Sequence, residues 1–153
     1  MFKKNGKVRT FLREKRKARK KGYMQASFEA DGLGTFRKNV GFLEDEKFQA
    51  AWKNAEKLNY EGWQKSGLGV PDIRWRAHVC CWAAKNALHL KGDFVECGVH
   101  TGLLSLTVSE YIDLDQTGKN FWLFDTFEGI PAAELDDDEK KLADYANELI
   151  YFD

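Results

Sequence analysis

The amino-acid sequence predicts an α/β fold that is built on one strand–helix–strand unit. Two short apolar runs, 94–97 and 121–124, flank a glycine-bearing turn and a helical pattern that begins near Thr101. The second run is continuously apolar, which is typical of a strand that is covered on both faces. Parallel strands need a crossover of about a dozen residues or more, usually a helix, so we expect the two runs to pair in parallel.

Two amphipathic helices are expected ahead of this unit. The first covers 45–61, where apolar residues recur every three or four positions and Gly62 marks the end. The second begins at Pro71 and runs to about position 90, and its two histidines, His78 and His89, are expected at the surface. The predicted apolar faces comprise Phe48, Ala51, Trp52, Ala55 and Leu58 in the first helix, and Ile73, Ala77, Cys81, Ala84 and Leu88, widened by Val79 and Trp82, in the second.

Charge is distributed unevenly along the chain, although the formal net charge of its 153 residues is zero. Residues 1–23 contain eleven Lys and Arg but only one acid, whereas an acidic helix is expected over 136–152. We therefore divide the chain into a basic N-terminal arm with a loop-rich linker, 1–44, and a domain that spans 45–153. The arm is interpreted either as a solvated segment or as an electrostatic contact for RNA, an anionic membrane or an acidic partner.

Composition and cysteine usage favour a folded, cytoplasmic protein. Hydrophobic residues make up 43% of the chain, yet no apolar run approaches the roughly 20 residues that a membrane-spanning helix needs. The N-terminal charges are not followed by the apolar stretch of a secretory signal. Cys80, Cys81 and Cys97 are interpreted as reduced, buried thiols, and no Cys/His set has zinc spacing.

The turn after the first predicted strand has the pattern Glu96-x-Gly98-x-x-x-Gly102. Gly98 lets the backbone turn sharply and approach a ligand closely, because it has no side chain. Gly102 is expected to let the following helix pack against the strand. In open parallel sheets, ligands bind outside the carboxyl ends of the strands, and this turn lies there. The pattern therefore predicts a binding loop.

Asp125 follows the second predicted strand and lies at the same edge of the sheet. A carboxylate in that position is suited to accept hydrogen bonds from the two hydroxyls of a ribose, which favours an adenosine-type cofactor. His100 occupies the position where a dinucleotide fingerprint has its middle glycine, so a pyrophosphate would be crowded. There is no phosphate-binding Gly-x-x-x-x-Gly-Lys-Ser/Thr segment either. Glu96 suits a cofactor with a cationic methionine end better than one with phosphates.

Two segments carry a resemblance to a known family. Gly92-Asp-Phe-Val-Glu-Cys-Gly-Val-His-Thr-Gly-Leu-Leu-Ser105 and Phe124-Asp-Thr-Phe-Glu-Gly-Ile-Pro131 resemble the macrocin O-methyltransferase (TylF-type) family. The likeness covers roughly residues 70–150. It implies a Rossmann-like class I methyltransferase fold that is truncated here to the first βαβ unit and the preceding helices. It also implies S-adenosylmethionine as the cofactor and a small-molecule acceptor, such as a sugar hydroxyl.

The resemblance assigns the cofactor-binding residues one by one. It implies that Glu96, Gly98 and Gly102, with Thr101 in the same loop, shape the cofactor site, that Asp125 binds the ribose, and that Thr126 and Phe127 lie beside the adenosine. No role is carried onto His100, and no catalytic base is identified. Members of the family continue with further strands and an Asp-x-Asp segment that contributes to a divalent metal site, such as one for Mg²⁺. We therefore expect the sequence to be the N-terminal part of a longer enzyme or a degenerate gene product, and we expect a metal only in the complete enzyme.

Two other functions stay open at this point. The basic arm, 1–23, is compatible with a non-catalytic nucleotide- or RNA-binding protein. A nucleotide-dependent oxidoreductase is disfavoured by His100 in the glycine turn. Assembly into a homo-oligomer is compatible with the sequence and is not indicated by any motif.

Overall fold

A computed structural model describes residues 26–65, 70–131, 133 and 135–141 of the chain. The basic arm, 1–23, lies outside these residues, as does the part of the predicted helix 136–152 that follows residue 141. The chain divides into two units between Val40 and Gly41.

The first unit contains a short antiparallel hairpin within the segment that was expected to be loop-rich. Strand β1 (Phe28–Ala30) pairs with β2 (Leu33–Thr35). The two residues that join them, Asp31 and Gly32, have φ angles of 50° and 72°. An Asp-Gly pair with two positive φ angles is the preferred connection for a two-residue hairpin, so this local signal accounts for the turn.

Helix α1 (Glu46–Lys65) is longer than the sequence predicted. Its start is capped by the Asp45 carboxylate, which accepts a hydrogen bond from the Phe48 N–H at 2.9 Å. The expectation that Gly62 ends the helix is wrong, since a glycine costs a helix only about 1 kcal/mol and the helix continues past it. Leu58 was also placed wrongly on the buried face, because its side chain is 72% exposed.

Helix α2 (Arg74–Ala87) is shorter than predicted, and its buried face is narrower. Ala77, Cys81 and Ala84 are buried as predicted, whereas the proposed widening by Val79 and Trp82 is wrong because both side chains are exposed. These three buried residues are small, so the surface that α2 packs against the neighbouring helices is a narrow stripe.

The environment of His78 also differs from the prediction. Its ring is half-buried and stacks on Phe42, with ring centroids 4.6 Å apart and planes 17° apart. Desolvation lowers the pKa of His78, although the charge of Asp45 partly opposes this. His89, by contrast, is exposed as predicted.

The predicted strand–helix–strand unit is present. Strands β3 (Phe94–Cys97) and β4 (Phe121–Phe124) form a parallel pair in which Cys97 lies opposite Phe124, and helix α3 (Leu103–Tyr111) connects them. Helices α1, α2 and α3 pack around a common core, whose buried members include Phe48, Trp52, Ala77, Cys81, Leu103, Val108 and Ile112. The fold class is therefore mixed α/β, as expected.

Strand β4 is not covered on both faces within the described part of the chain. Trp122 is 52% exposed and Phe124 is 58% exposed, and on the neighbouring strand Val95 is 60% exposed. Phe94 and Phe121 pack against the helical core, whereas the side chains that alternate with them point to the other face and are exposed. The prediction of two covered faces is wrong for these residues.

The three cysteines are free, but they are not equally buried. Cys81 lies in the core, and burial is the main cause that raises the pKa of its thiol to about 12. Cys80 is half-buried and Cys97 is exposed, so the expectation of three buried thiols is wrong for Cys97.

Candidate functional site

The carboxyl ends of the two parallel strands lie side by side. The Gly98 N–H donates a hydrogen bond to the Phe124 carbonyl oxygen at 2.8 Å, one position beyond the last paired residues. The glycine loop 98–102 and the loop 125–131 therefore start at the same edge, as the sequence predicted. This is the edge at which open parallel sheets hold their ligands.

The glycine loop has three residues in the left-handed region of backbone space. The φ angles are 82° at Gly98, 54° at His100 and 77° at Gly102. A Cβ atom on Gly98 would meet no atom within 4 Å, so the backbone there borders open space. The loop is thus open to a ligand at Gly98.

Gly102 is needed for a different reason from the one that the sequence suggested. A Cβ atom there would lie 3.6 Å from Ser105 Oγ and 3.8 Å from Leu106 Cδ1 in the helix that follows, and these are ordinary contact distances. Close packing of the helix on the strand therefore does not require the glycine. Its positive φ angle, at the residue that precedes α3, is what favours a glycine.

The Asp125 carboxylate joins the two loops. One oxygen, Oδ2, accepts a hydrogen bond from the His100 N–H at 2.8 Å, and the other, Oδ1, accepts one from the Phe127 N–H at 3.1 Å. These backbone donors, with that of His100 contributing most, lower the pKa of Asp125 to about 2. The group is ionised at neutral pH. The Thr126 hydroxyl also lies 3.4 Å from Oδ1, although its shorter bond goes to the Gly129 carbonyl oxygen. A carboxylate offers about four acceptor positions, so these contacts still leave capacity for a ligand.

Thr126 and Phe127 lie next to this carboxylate. The Thr126 hydroxyl donates to the Gly129 carbonyl oxygen at 2.6 Å and so closes the turn. The Phe127 residue has a φ angle of 55°, and its side chain is 63% exposed. Thr101, which was also predicted to contact the cofactor, is exposed in the glycine loop.

Glu96 is separated from the other predicted site residues, because its side chain lies on the helix side of the sheet. It lines a cavity of about 330 Å³ together with Cys80, Ala84, Phe94, Ser105 and Phe121, among others. Its Oε2 atom is buried and has no hydrogen-bond partner among the described residues. Desolvation, reinforced by the charge of Asp125 and opposed by Ser105, raises the pKa of Glu96.

The comparison with known families supports one of the interpretations that the sequence left open. The family model for macrocin-O-methyltransferase (TylF) matches residues 73–151, which include β3, the glycine loop, α3, β4 and the loop after it. The chain belongs to the macrocin O-methyltransferase family. Membership of this family indicates that the chain is a methyltransferase. No curated protein and no solved structure matches it.

One residue pair at this edge of the macrocin O-methyltransferase chain was missed by sequence reasoning. The indole of Trp63, in the last turns of α1, lies against the imidazole of His100, with ring centroids 5.5 Å apart and planes 51° apart. Trp63 precedes the segment that the family model matches. No periodicity or spacing in the sequence links it to the glycine loop, and the sequence had placed it beyond the helix.

Metal-binding clusters and membrane-spanning helices are absent from the described part of this family member. Within residues 26–65, 70–131, 133 and 135–141, no group of three or more His, Cys, Asp or Glu side chains could hold a metal ion. No helix among those residues is long and apolar enough to cross a membrane.

Proposed function

We propose that this chain binds S-adenosylmethionine at the carboxyl edge of β3 and β4, and that it serves methyl transfer to a hydroxyl group of a small molecule, such as a sugar. The observation that carries the proposal is the ionised Asp125 carboxylate, which holds the glycine loop against the loop after β4. Membership of the macrocin O-methyltransferase family supports the choice of cofactor.

The described residues fit the adenosine end of this cofactor. Asp125 retains acceptor capacity for a ribose hydroxyl beside its bonds from His100 and Phe127 and its longer contact with Thr126. The exposed ring of Phe127 offers a flat apolar surface next to that carboxylate, which suits an adenine. Thr126 holds the turn that carries both residues.

The glycine loop fits the methionine end. The open space at Gly98 allows a ligand to approach the backbone closely. The ionised Asp125 carboxylate gives this edge a negative charge, which favours a cationic ligand over one with phosphates. When it is bound, S-adenosylmethionine supplies a methyl group on a positively charged sulfur.

The protein's own contribution to methyl transfer is mainly positional. The two loops and Asp125 would hold the cofactor in a fixed orientation, and such positioning of reactants can lower a barrier by roughly 7–11 kcal/mol. The hydroxyl of the acceptor must lose its proton as the new bond forms, so a base completes the site. We assign that role to none of the described residues.

Calorimetric titration with S-adenosylhomocysteine tests the proposal. We expect the chain to give saturable heat, and we expect Asp125→Ala to weaken the affinity at least about tenfold, because bonds to a charged group are lost. Asp115→Ala, which removes an exposed acid from the short 3₁₀ helix Leu114–Gln116 after α3, is the matched control and should bind as the unaltered chain does.

Two results would contradict the proposal. The first is the absence of saturable heat with the unaltered chain. The second is an Asp125→Ala variant that keeps full affinity while its circular dichroism spectrum shows a folded chain. A titration with NADH separates the oxidoreductase interpretation, for which a dinucleotide should bind more tightly than S-adenosylhomocysteine.

A further inference from the structure

The long helix α1 runs antiparallel to α3 and extends beyond the start of α3. Near the beginning of α1, Lys47 forms an ion pair with Asp113, which follows the end of α3. Further along, Asn54 Nδ2 donates to Glu110 Oε1 at 2.6 Å. With 20 residues, α1 is about 30 Å long, whereas α3 has only nine residues and is about 14 Å long. The last turns of α1 therefore reach the glycine loop.

At that point Trp63 meets His100. The two rings are half-buried, and their centroids are 5.5 Å apart in a tilted arrangement. This distance lies in the range where aromatic rings attract one another beyond simple burial. The contact joins a helix that precedes the family-matched segment to the centre of the proposed cofactor loop.

The backbone of His100 is in a conformation that needs support. Its φ angle of 54° is in the left-handed region, which residues other than glycine adopt at a cost. That conformation directs the His100 N–H to Asp125 Oδ2 at 2.8 Å. A ring that packs on the imidazole therefore favours the loop geometry in which Asp125 is correctly placed.

We propose that Trp63 is a positioning residue for the cofactor loop, which acts through His100 to hold the loop in its binding geometry before the cofactor arrives. Its effect on the loop is independent of any ligand. Its effect on cofactor affinity rests on the proposed function.

Amide hydrogen exchange of the ligand-free chain tests the effect on the loop. In Trp63→Ala we expect the His100 amide to exchange about threefold to tenfold faster, because the ring contact that favours its hydrogen-bonded state is lost. The Val108 amide in the core of α3 should not change. Trp63→Phe, which keeps an aromatic ring, should restore slow exchange.

Two variants serve as controls. Trp82→Ala removes an exposed tryptophan from the outer side of α2 and should leave the His100 amide unchanged. His100→Gly adopts the positive φ angle without strain and has no ring, so adding Trp63→Ala in that background should have no further effect on exchange at residue 100.

Titration with S-adenosylhomocysteine then tests the effect on the cofactor. We expect Trp63→Ala to weaken affinity about threefold to tenfold, and Trp63→Phe and Trp82→Ala to bind as the unaltered chain does. A failure of the unaltered chain to bind would contradict the proposed function, while the exchange result would still decide the role of Trp63. Three results would overturn the inference. The first is unchanged exchange of the His100 amide in Trp63→Ala, and the second is a Trp63→Ala effect on exchange that is as large in the His100→Gly background as in the unaltered chain. The third is unchanged cofactor affinity in Trp63→Ala when the unaltered chain binds.

Discussion

The replacement of Gly98 by alanine isolates the backbone of the proposed cofactor loop. Gly98 has a φ angle of 82°, and a Cβ atom there would meet nothing within 4 Å. The substitution therefore adds conformational strain without a steric clash inside the protein. A left-handed conformation costs a residue with a Cβ atom roughly 1–2 kcal/mol.

Gly92 offers a matched control in the turn before β3, at the opposite end of the strand. Its φ angle is 102°, and a Cβ atom there would also meet nothing within 4 Å. Both Gly98→Ala and Gly92→Ala should lower the free energy of unfolding by roughly 1–2 kcal/mol, as measured by urea denaturation. In a chain of this length, each kcal/mol corresponds to a fall of about 2–4 °C in Tm.

Cofactor affinity should separate the two variants. The new Cβ atom of Gly98→Ala would enter the open space beside the loop, where we propose that the cofactor approaches the backbone. We expect calorimetry with S-adenosylhomocysteine to show a loss of about tenfold or more, which corresponds to about 1.4 kcal/mol. Gly92→Ala should bind with unchanged affinity, because it carries similar strain away from the site.

The comparison can refute the reasoning in two ways. Equal affinities for Gly98→Ala and the unaltered chain, with the expected loss of stability, would show that the cofactor does not approach this backbone. Equal losses of affinity in both variants would show that the effect is global destabilisation.

Three further predictions concern stability. Phe48→Ala should lower the free energy of unfolding by about 3–5 kcal/mol in urea denaturation, because the ring is 1% exposed in the core; a loss below about 1 kcal/mol would contradict its core role. Asp93→Ala should lower Tm and leave the indole of Trp122 more mobile by fluorescence anisotropy, because the carboxylate accepts bonds from the Asn120 N–H and from Trp122 Nε1, both at 3.0 Å; unchanged anisotropy would refute this. Desolvation lowers the pKa of His78 from 6.5, so the unfolded chain binds a proton at this residue more readily than the folded chain does. The contribution of the neutral His78 to stability is therefore complete above about pH 6.5 and is lost as the pH falls through the lowered pKa. Urea denaturation at pH 7.5 and 5.5 should show this loss and show less of it in His78→Phe, and an equal loss in both chains would contradict the assignment.

Local patterns predicted most of the elements correctly. The recurrence of apolar residues along α1 and α2 is a property of each helix alone, so Phe48, Trp52, Ala77 and Cys81 were assigned to the core correctly. The periodicity of apolar residues could not predict how wide the buried face of each helix is. Leu58 falls on the predicted stripe but is 72% exposed, because the face that α1 buries depends on where its neighbouring helices pack.

The edges of the sheet show the same limit. The run 121–124 is a strand, as its composition indicates, but composition does not tell which layers lie on it. Trp122 and Phe124 are exposed in the described chain, whereas Phe121, on the other face of the same strand, packs against the helical core. The hairpin at β1 and β2 could have been found from Asp31 and Gly32, whose pairing is a strong turn signal.

The sequence by itself determined the strand, glycine turn, helix and strand of the candidate site, and the family to which the chain belongs. These features depend on residues close together in the chain, through alternation, helical periodicity and the tolerance of glycine for positive φ angles. Only the tertiary structure decided that Asp125 accepts a hydrogen bond from the His100 amide and that Glu96 lines a cavity on the helix side of the sheet. It also decided that Trp63 contacts His100 in the glycine loop. Such contacts join residues far apart in the chain, and they exist only because α1, α3 and the strands pack in one particular arrangement.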